Sequence, residues 1–210
     1  MKTKNILITI LGVSFFCVFI NSRVLFIDNL IYEIYFEQLS GDQIKELIES
    51  KKEWSWMPYV FVFVLIIIRT SLITLCLNIG VFFYDTENKI KFIKLFRVTL
   101  IGEFVLVFVG FVRLIYFLFI KVEYTLQDIQ QYYPLSYINF LDIKNIEPWL
   151  IYPMQTINLF EIAYFFVLVY GLHKLLKNKY SKSFEIVAVS YGAGLIIWLG
   201  LVMFLTLNLT

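Results

Sequence analysis

Four ionisable side chains fall inside long apolar blocks of the chain: Arg69, Glu103, Arg113 and Glu161, with Arg23 near the end of a fifth block. An ionised group at the centre of a membrane-spanning helix costs at least about 2.5–3.5 kcal/mol, so each needs a partner or a task. Together with Asn78 they define a possible polar track, which could bind an anionic headgroup, pass protons or hold a polar segment of a partner. The competing reading is structural, with interhelical ion pairs and hydrogen bonds that fix packing.

Other chemistry is poorly supplied. His173 is the only histidine, beside Lys174 in a basic turn, where it reads as a helix-end residue. No HExxH, cysteine cluster or second histidine offers a metal site, and no cofactor motif or Gly-rich phosphate loop occurs. Ser14, Ser71 and Ser190 lie in apolar blocks without a GxSxG or a histidine at matching depth. A thiol nucleophile built from Cys76, His173 and Arg113 would join residues at different depths. Cys17 and Cys76 read as small buried hydrophobes.

The elements that must position these residues are membrane spans. The 210-residue chain is 60% hydrophobic, 19% aromatic and 16% charged, with a mean hydropathy of +0.79. Soluble domains average about 45–50% apolar and about 25% charged. The apolar residues come in runs, and about 20 of them cross a hydrocarbon core of about 30 Å. The run from Trp56 to Tyr84 contains Arg69 as its one charge. Five spans follow, at about 5–27, 57–83, 98–120, 157–175 and 184–208, in one all-α membrane domain. The first has a signal-peptide look but no small-x-small cleavage site. No Lys/Arg tract with stacking aromatics suggests nucleic-acid binding.

Loop 28–56 carries SGDQIKELIESKKEW, with Ile44, Leu47 and Ile48 on one face. Ser40 and Gln43 make a capping box there. The segment reads as an amphipathic helix on the bilayer surface, or alternatively as a partner-binding helix. Loop 121–156, with Pro134, Pro148, Pro153 and many tyrosines, reads as irregular and as lying in the headgroup zone. Neither matching halves nor broken helices of the carrier type are evident.

Lys and Arg segregate by loop. Lys89, Lys91, Lys94 and Arg97 lie between spans two and three, and Lys174, Lys177, Lys179 and Lys182 between four and five, whereas the other two loops are acidic. The positive-inside rule puts the N-terminus in the cytoplasm and the C-terminus outside, in a cytoplasmic (inner) membrane. On that topology Glu103 lies near the cytoplasmic side, level with Asn78. Arg113 and Glu161 share the outer half, so these two are expected to pair. Arg69 sits mid-membrane with no acid at its depth. In span five, Ser190, Gly192, Ala193 and Gly194 form a small-residue patch where a helix of this bundle or of a partner could approach.

NLFE (Asn158–Glu161) opening span four, GL (Gly171–Leu172) ending it, the basic turn and the small-residue fifth span resemble the YIP family of five-pass Ypt/Rab-interacting membrane proteins and their bacterial relatives. The long N-terminal domain and DLxGP-like segment of eukaryotic members are missing. The resemblance implies a membrane-integral, non-enzymatic protein. The expected role is an accessory or structural subunit of a larger transport or secretion assembly, with the bilayer and another membrane protein as partners. The alternatives are a small transporter or proton conductor, and a lipid-acting intramembrane enzyme.

Overall fold

A computed structural model describes residues 3–25, 39–84 and 90–209. Eight α-helices occur among them: α1 (Thr3–Val24), α2 (Gly41–Glu53), α3 (Met57–Tyr84), α4 (Phe92–Phe119), α5 (Leu126–Gln131), α6 (Pro148–Thr156), α7 (Leu159–Leu176) and α8 (Tyr180–Leu209). Five of them, α1, α3, α4, α7 and α8, are long and apolar enough to cross a membrane. The protein is an all-α membrane bundle. The expected stretch upstream of Leu39, with Asp28, Glu33 and Glu37, and the turn holding Lys89 lie outside the described residues, as does Lys2.

The principal contacts run α3–α4, α4–α7, α7–α8 and α8–α3, closing a ring of four helices. Helix α1 lies outside the ring, against α4 and α3. One end of the bundle carries the basic turn at Lys177–Lys179 and the start of α4; the other carries the segments around α2, α5 and α6. We call them the basic end and the loop end. In the basic half the ring is filled by Leu77, Val81, Leu95, Val98, Leu168, Leu172 and Ile186.

Small residues bring the helices together. A Cβ on Gly102 of α4 would stand 2.6 Å from the Tyr164 ring of α7, and one on Gly80 of α3 would stand 2.6 Å from Ser190 Cβ of α8. Interfaces of this kind replace the hydrophobic driving force that lipid removes. In the small-residue patch of α8, Ser190 and Gly194 meet Gly80 and Cys76 of α3, whereas a Cβ on Gly192 would meet open space. The patch thus divides between two faces.

Helix α2 forms as its sequence demands. Ser40 caps it, with the reciprocal Gln43 bond to the Ser40 backbone, and Ile44 is buried.

The segment after α4 departs from the irregular headgroup loop expected. Helix α6 packs on α8, as α7 does. Phe165 meets Phe184, Glu161 meets Tyr191, and the Trp198 indole donates to the Tyr152 hydroxyl at 2.9 Å. The antiparallel register along α8 therefore continues from α7 across Ile157 into α6. Together α6 and α7 replace one span of the length of α3 or α4, broken at Thr156–Asn158. The expectation of no broken helix is corrected. Its cause is local: the Leu159 N–H turns to the Leu135 carbonyl instead of continuing α6, and Asn158 begins a new helix by capping the Glu161 N–H at 2.7 Å.

The carbonyls freed at the break are satisfied from a neighbouring loop. Ser136 Oγ donates toward the carbonyls of Met154 and Gln155, at 3.2 and 3.1 Å. The Asn158 amide donates to Gln155 at 2.9 Å, and Tyr137 N–H donates to the Ile157 carbonyl at 2.9 Å. Ser136, Ile138 and Asn158 are all buried. Irregular backbone at membrane depth is tolerated only when protein covers it in this way.

Candidate functional site

The ring closes around a polar centre to which each of its four helices contributes. Arg69 of α3 donates Nε to Glu103 Oε1 of α4 at 3.3 Å and Nη2 to Oε2, a bidentate pair. Glu103 is 0% exposed, whereas 46% of the Arg69 side-chain surface is open. Glu161, in the first turn of α7, accepts a hydrogen bond from the Tyr191 hydroxyl of α8. Tyr164, one turn further along α7, is fully buried; its hydroxyl lies close to Glu103 yet makes no hydrogen bond of regular geometry. Arg69 is charge-coupled to Glu161 as well as to Glu103.

This corrects the pairing expected from depth. Arg69 has an acid at its own level, and that acid is Glu103. Arg113 does not meet Glu161: its Nη2 donates to the Ile129 carbonyl of α5, tying α4 to the loop. Glu161 takes Tyr191 instead. Arg23 is exposed and lies over the Phe19 ring of its own helix, 5.7 Å from the centroid. Asn78 is half-buried and makes no hydrogen bond among the described residues. The expected six-member track is therefore a compact cluster of Arg69, Glu103 and Glu161, with three members elsewhere.

Tyr164 and Tyr191 were not singled out in the sequence, and Tyr133 was read there only as a headgroup-zone tyrosine. Tyr133, in the loop beyond α5, is pushed up from a phenol's ordinary value by burial and then by the Glu161 carboxylate. It covers the cluster from the loop end. Below the cluster, Thr74 and Thr99 share a hydrogen bond of 2.8 Å between fully buried hydroxyls, and beneath them the filling is apolar.

The centre opens sideways. The face of α8 that meets α3 holds Ser183, Ile186, Ser190 and Gly194, buried or half-buried, and then Ile197, Leu201 and Phe204, which are 72%, 46% and 62% exposed. The matching face of α3 runs Gly80, Cys76, Ile73, Arg69. With Gly80 opposite Ser190 and Cys76 opposite Gly194, antiparallel register sets Arg69 opposite Leu201. Helices α3 and α8 thus touch through the basic half and part at the level of Arg69. Among the described residues this leaves an open face between α3 and α8, the α3/α8 cleft, with the exposed guanidinium and the exposed apolar residues of α8 along it and the Glu161–Tyr191 pair in the same polar cluster.

The catalytic alternatives are not brought together. Cys76 packs on Gly194, while His173 stacks edge-on against Tyr180 at 5.7 Å. Those two α8 contacts are about 20 Å apart at 1.5 Å per residue. Among the described residues no group of three His, Cys, Asp or Glu is placed to hold a metal ion.

No protein-family model matches this chain, and neither any curated protein nor any solved structure matches it.

Proposed function

We propose that this chain is a non-catalytic integral membrane subunit that holds another membrane protein through the α3/α8 cleft. The observation that carries the reading is the parting of α3 and α8 at Arg69. It leaves a charged side chain and the apolar residues Ile197, Leu201 and Phe204 exposed, with no described residue of the chain across from them. A groove with apolar walls and a polar centre at mid-bilayer suits a helix inserted from the side. The segregated Lys and Arg support a cytoplasmic N-terminus with the cleft open toward the outer leaflet. The likeness to the YIP family points the same way, to a membrane-integral protein without enzymatic activity.

The broken α6–α7 span favours a second reading, a small carrier or proton-conducting protein, since discontinuous helices serve transporters. The apolar filling of the basic half weighs against an open path through the ring.

Purification of the tagged chain in mild detergent, with mass spectrometry, tests the first reading. A membrane protein in stoichiometric amount is expected, and it should be lost on Arg69→Leu. A clean monomer or homo-oligomer refutes the reading, and proton flux into vesicles containing the protein alone would establish the second.

A further inference from the structure

Charge counting across the cleft names the chemistry of its occupant. The cluster holds two carboxylates, Glu103 and Glu161, and one cation, Arg69. Arg69 is engaged by both oxygens of Glu103, while Glu161 accepts its hydrogen bond from the neutral Tyr191 hydroxyl and meets Arg69 only through space. The nearest other cation on these helices, Arg113, is turned to the Ile129 carbonyl. With both acids ionised the site carries one uncompensated negative charge. A second polar group there, the fully buried Tyr164 hydroxyl, lies beside Glu103 without a hydrogen bond of regular geometry.

An ammonium offers three donors and no acceptor, and a guanidinium five. Either would match the free oxygen of Glu161. We therefore propose that the α3/α8 cleft receives a transmembrane helix of a different protein that carries a lysine or arginine near its middle, with Glu161 as its counter-charge.

Depth selects a helix over a lipid. Arg69 is residue 13 of the 28 in α3, within about 2–3 Å of the helix midpoint at 1.5 Å per residue. A lipid headgroup lies about 15 Å away, at the edge of the hydrocarbon core. A second copy of this chain is a poor occupant, because Ile186–Leu209 holds no Lys or Arg and the mid-helix cation of α3 is already paired. The inference rests on the subunit reading above, and its test separates the two.

The full-length protein, with a photo-crosslinking residue at Leu201, is placed in phosphatidylcholine vesicles with Leu/Ala peptides of about 20 residues, long enough to span. The peptides carry Lys, Leu or Glu at the central position. The Lys peptide should crosslink about tenfold more than the Leu peptide, and the Glu peptide least. Glu161→Gln, which keeps an acceptor for Tyr191, should erase the Lys preference without changing the thermal midpoint in detergent. The three peptides on the unaltered protein decide the question even if that variant fails to fold. Equal crosslinking of Lys and Leu peptides overturns the cation and leaves the cleft as a docking groove. Adducts with lipid alone, and none with any peptide, overturn the docking reading itself.

Discussion

Removing one partner of the Arg69–Glu103 pair should cost different amounts depending on which partner goes. Arg69→Leu strands Glu103, which is 0% exposed, among α3, α4 and α7. A stranded buried charge costs roughly 3–5 kcal/mol. Glu103→Leu instead strands Arg69, whose side chain is 46% open; an ionised group at the centre of a span costs about 2.5–3.5 kcal/mol, so a smaller loss than for Arg69→Leu is expected. The double variant to Leu should cost less than Arg69→Leu alone.

The assay is reversible unfolding in mixed micelles at pH 7. Equal costs for the two single variants would refute the placement of Glu103 in a dry centre opposite a half-open Arg69.

Three further outcomes test the scaffold. Gly102→Ala puts a Cβ 2.6 Å from the fully buried Tyr164 ring; it should destabilise by about 1–3 kcal/mol through overpacking, read as a lower thermal midpoint. Ser136→Ala uncovers carbonyls at the helix break and should cost about 1–3 kcal/mol for buried acceptors left unpaired, with faster hydrogen exchange around Asn158; unchanged exchange would sink the account of the break. Asp128 is held below the usual carboxylate value by its bond to Lys121 at 2.5 Å and by the Thr125 N–H. A depressed value means that this clamp is intact above about pH 3.9 and is lost as pH falls through the lower folded value. The label-accessibility of Tyr132 should rise only in that acid range, and Asp128→Asn should show the rise at neutral pH.

The five spans were legible because unbroken apolar runs have few alternatives, and α2 because Ser40 and Gln43 spell out a capping box. The pairing of Arg69 was not, and one boundary explains the failure. Reading the third span from residue 98 puts Glu103 near its cytoplasmic entrance. Helix α4 begins at Phe92, since Lys94 and Arg97 can sit in the first turns with their charges turned outward. That shift of six residues, about 9 Å, carries Glu103 to mid-helix, level with Arg69, and removes the reason to pair Arg113 with Glu161.

The break in the fourth span was hidden by the prolines that precede it, because Pro148 and Pro153 suggest a loop wherever burial is not known. Its trace in the sequence is Asn158 followed three residues later by Glu161, the spacing of a helix start. That start explains why Glu161 can lie so deep. At the first turn of α7 its carboxylate faces the positive end of the helix dipole, which an uninterrupted span would offer only at the membrane surface. The break and the acid therefore belong together: Ser136 and Asn158 hold the chain open beside the polar cluster, and the helix end they create supports the carboxylate of the cluster that, among the described residues, has no cation in direct contact.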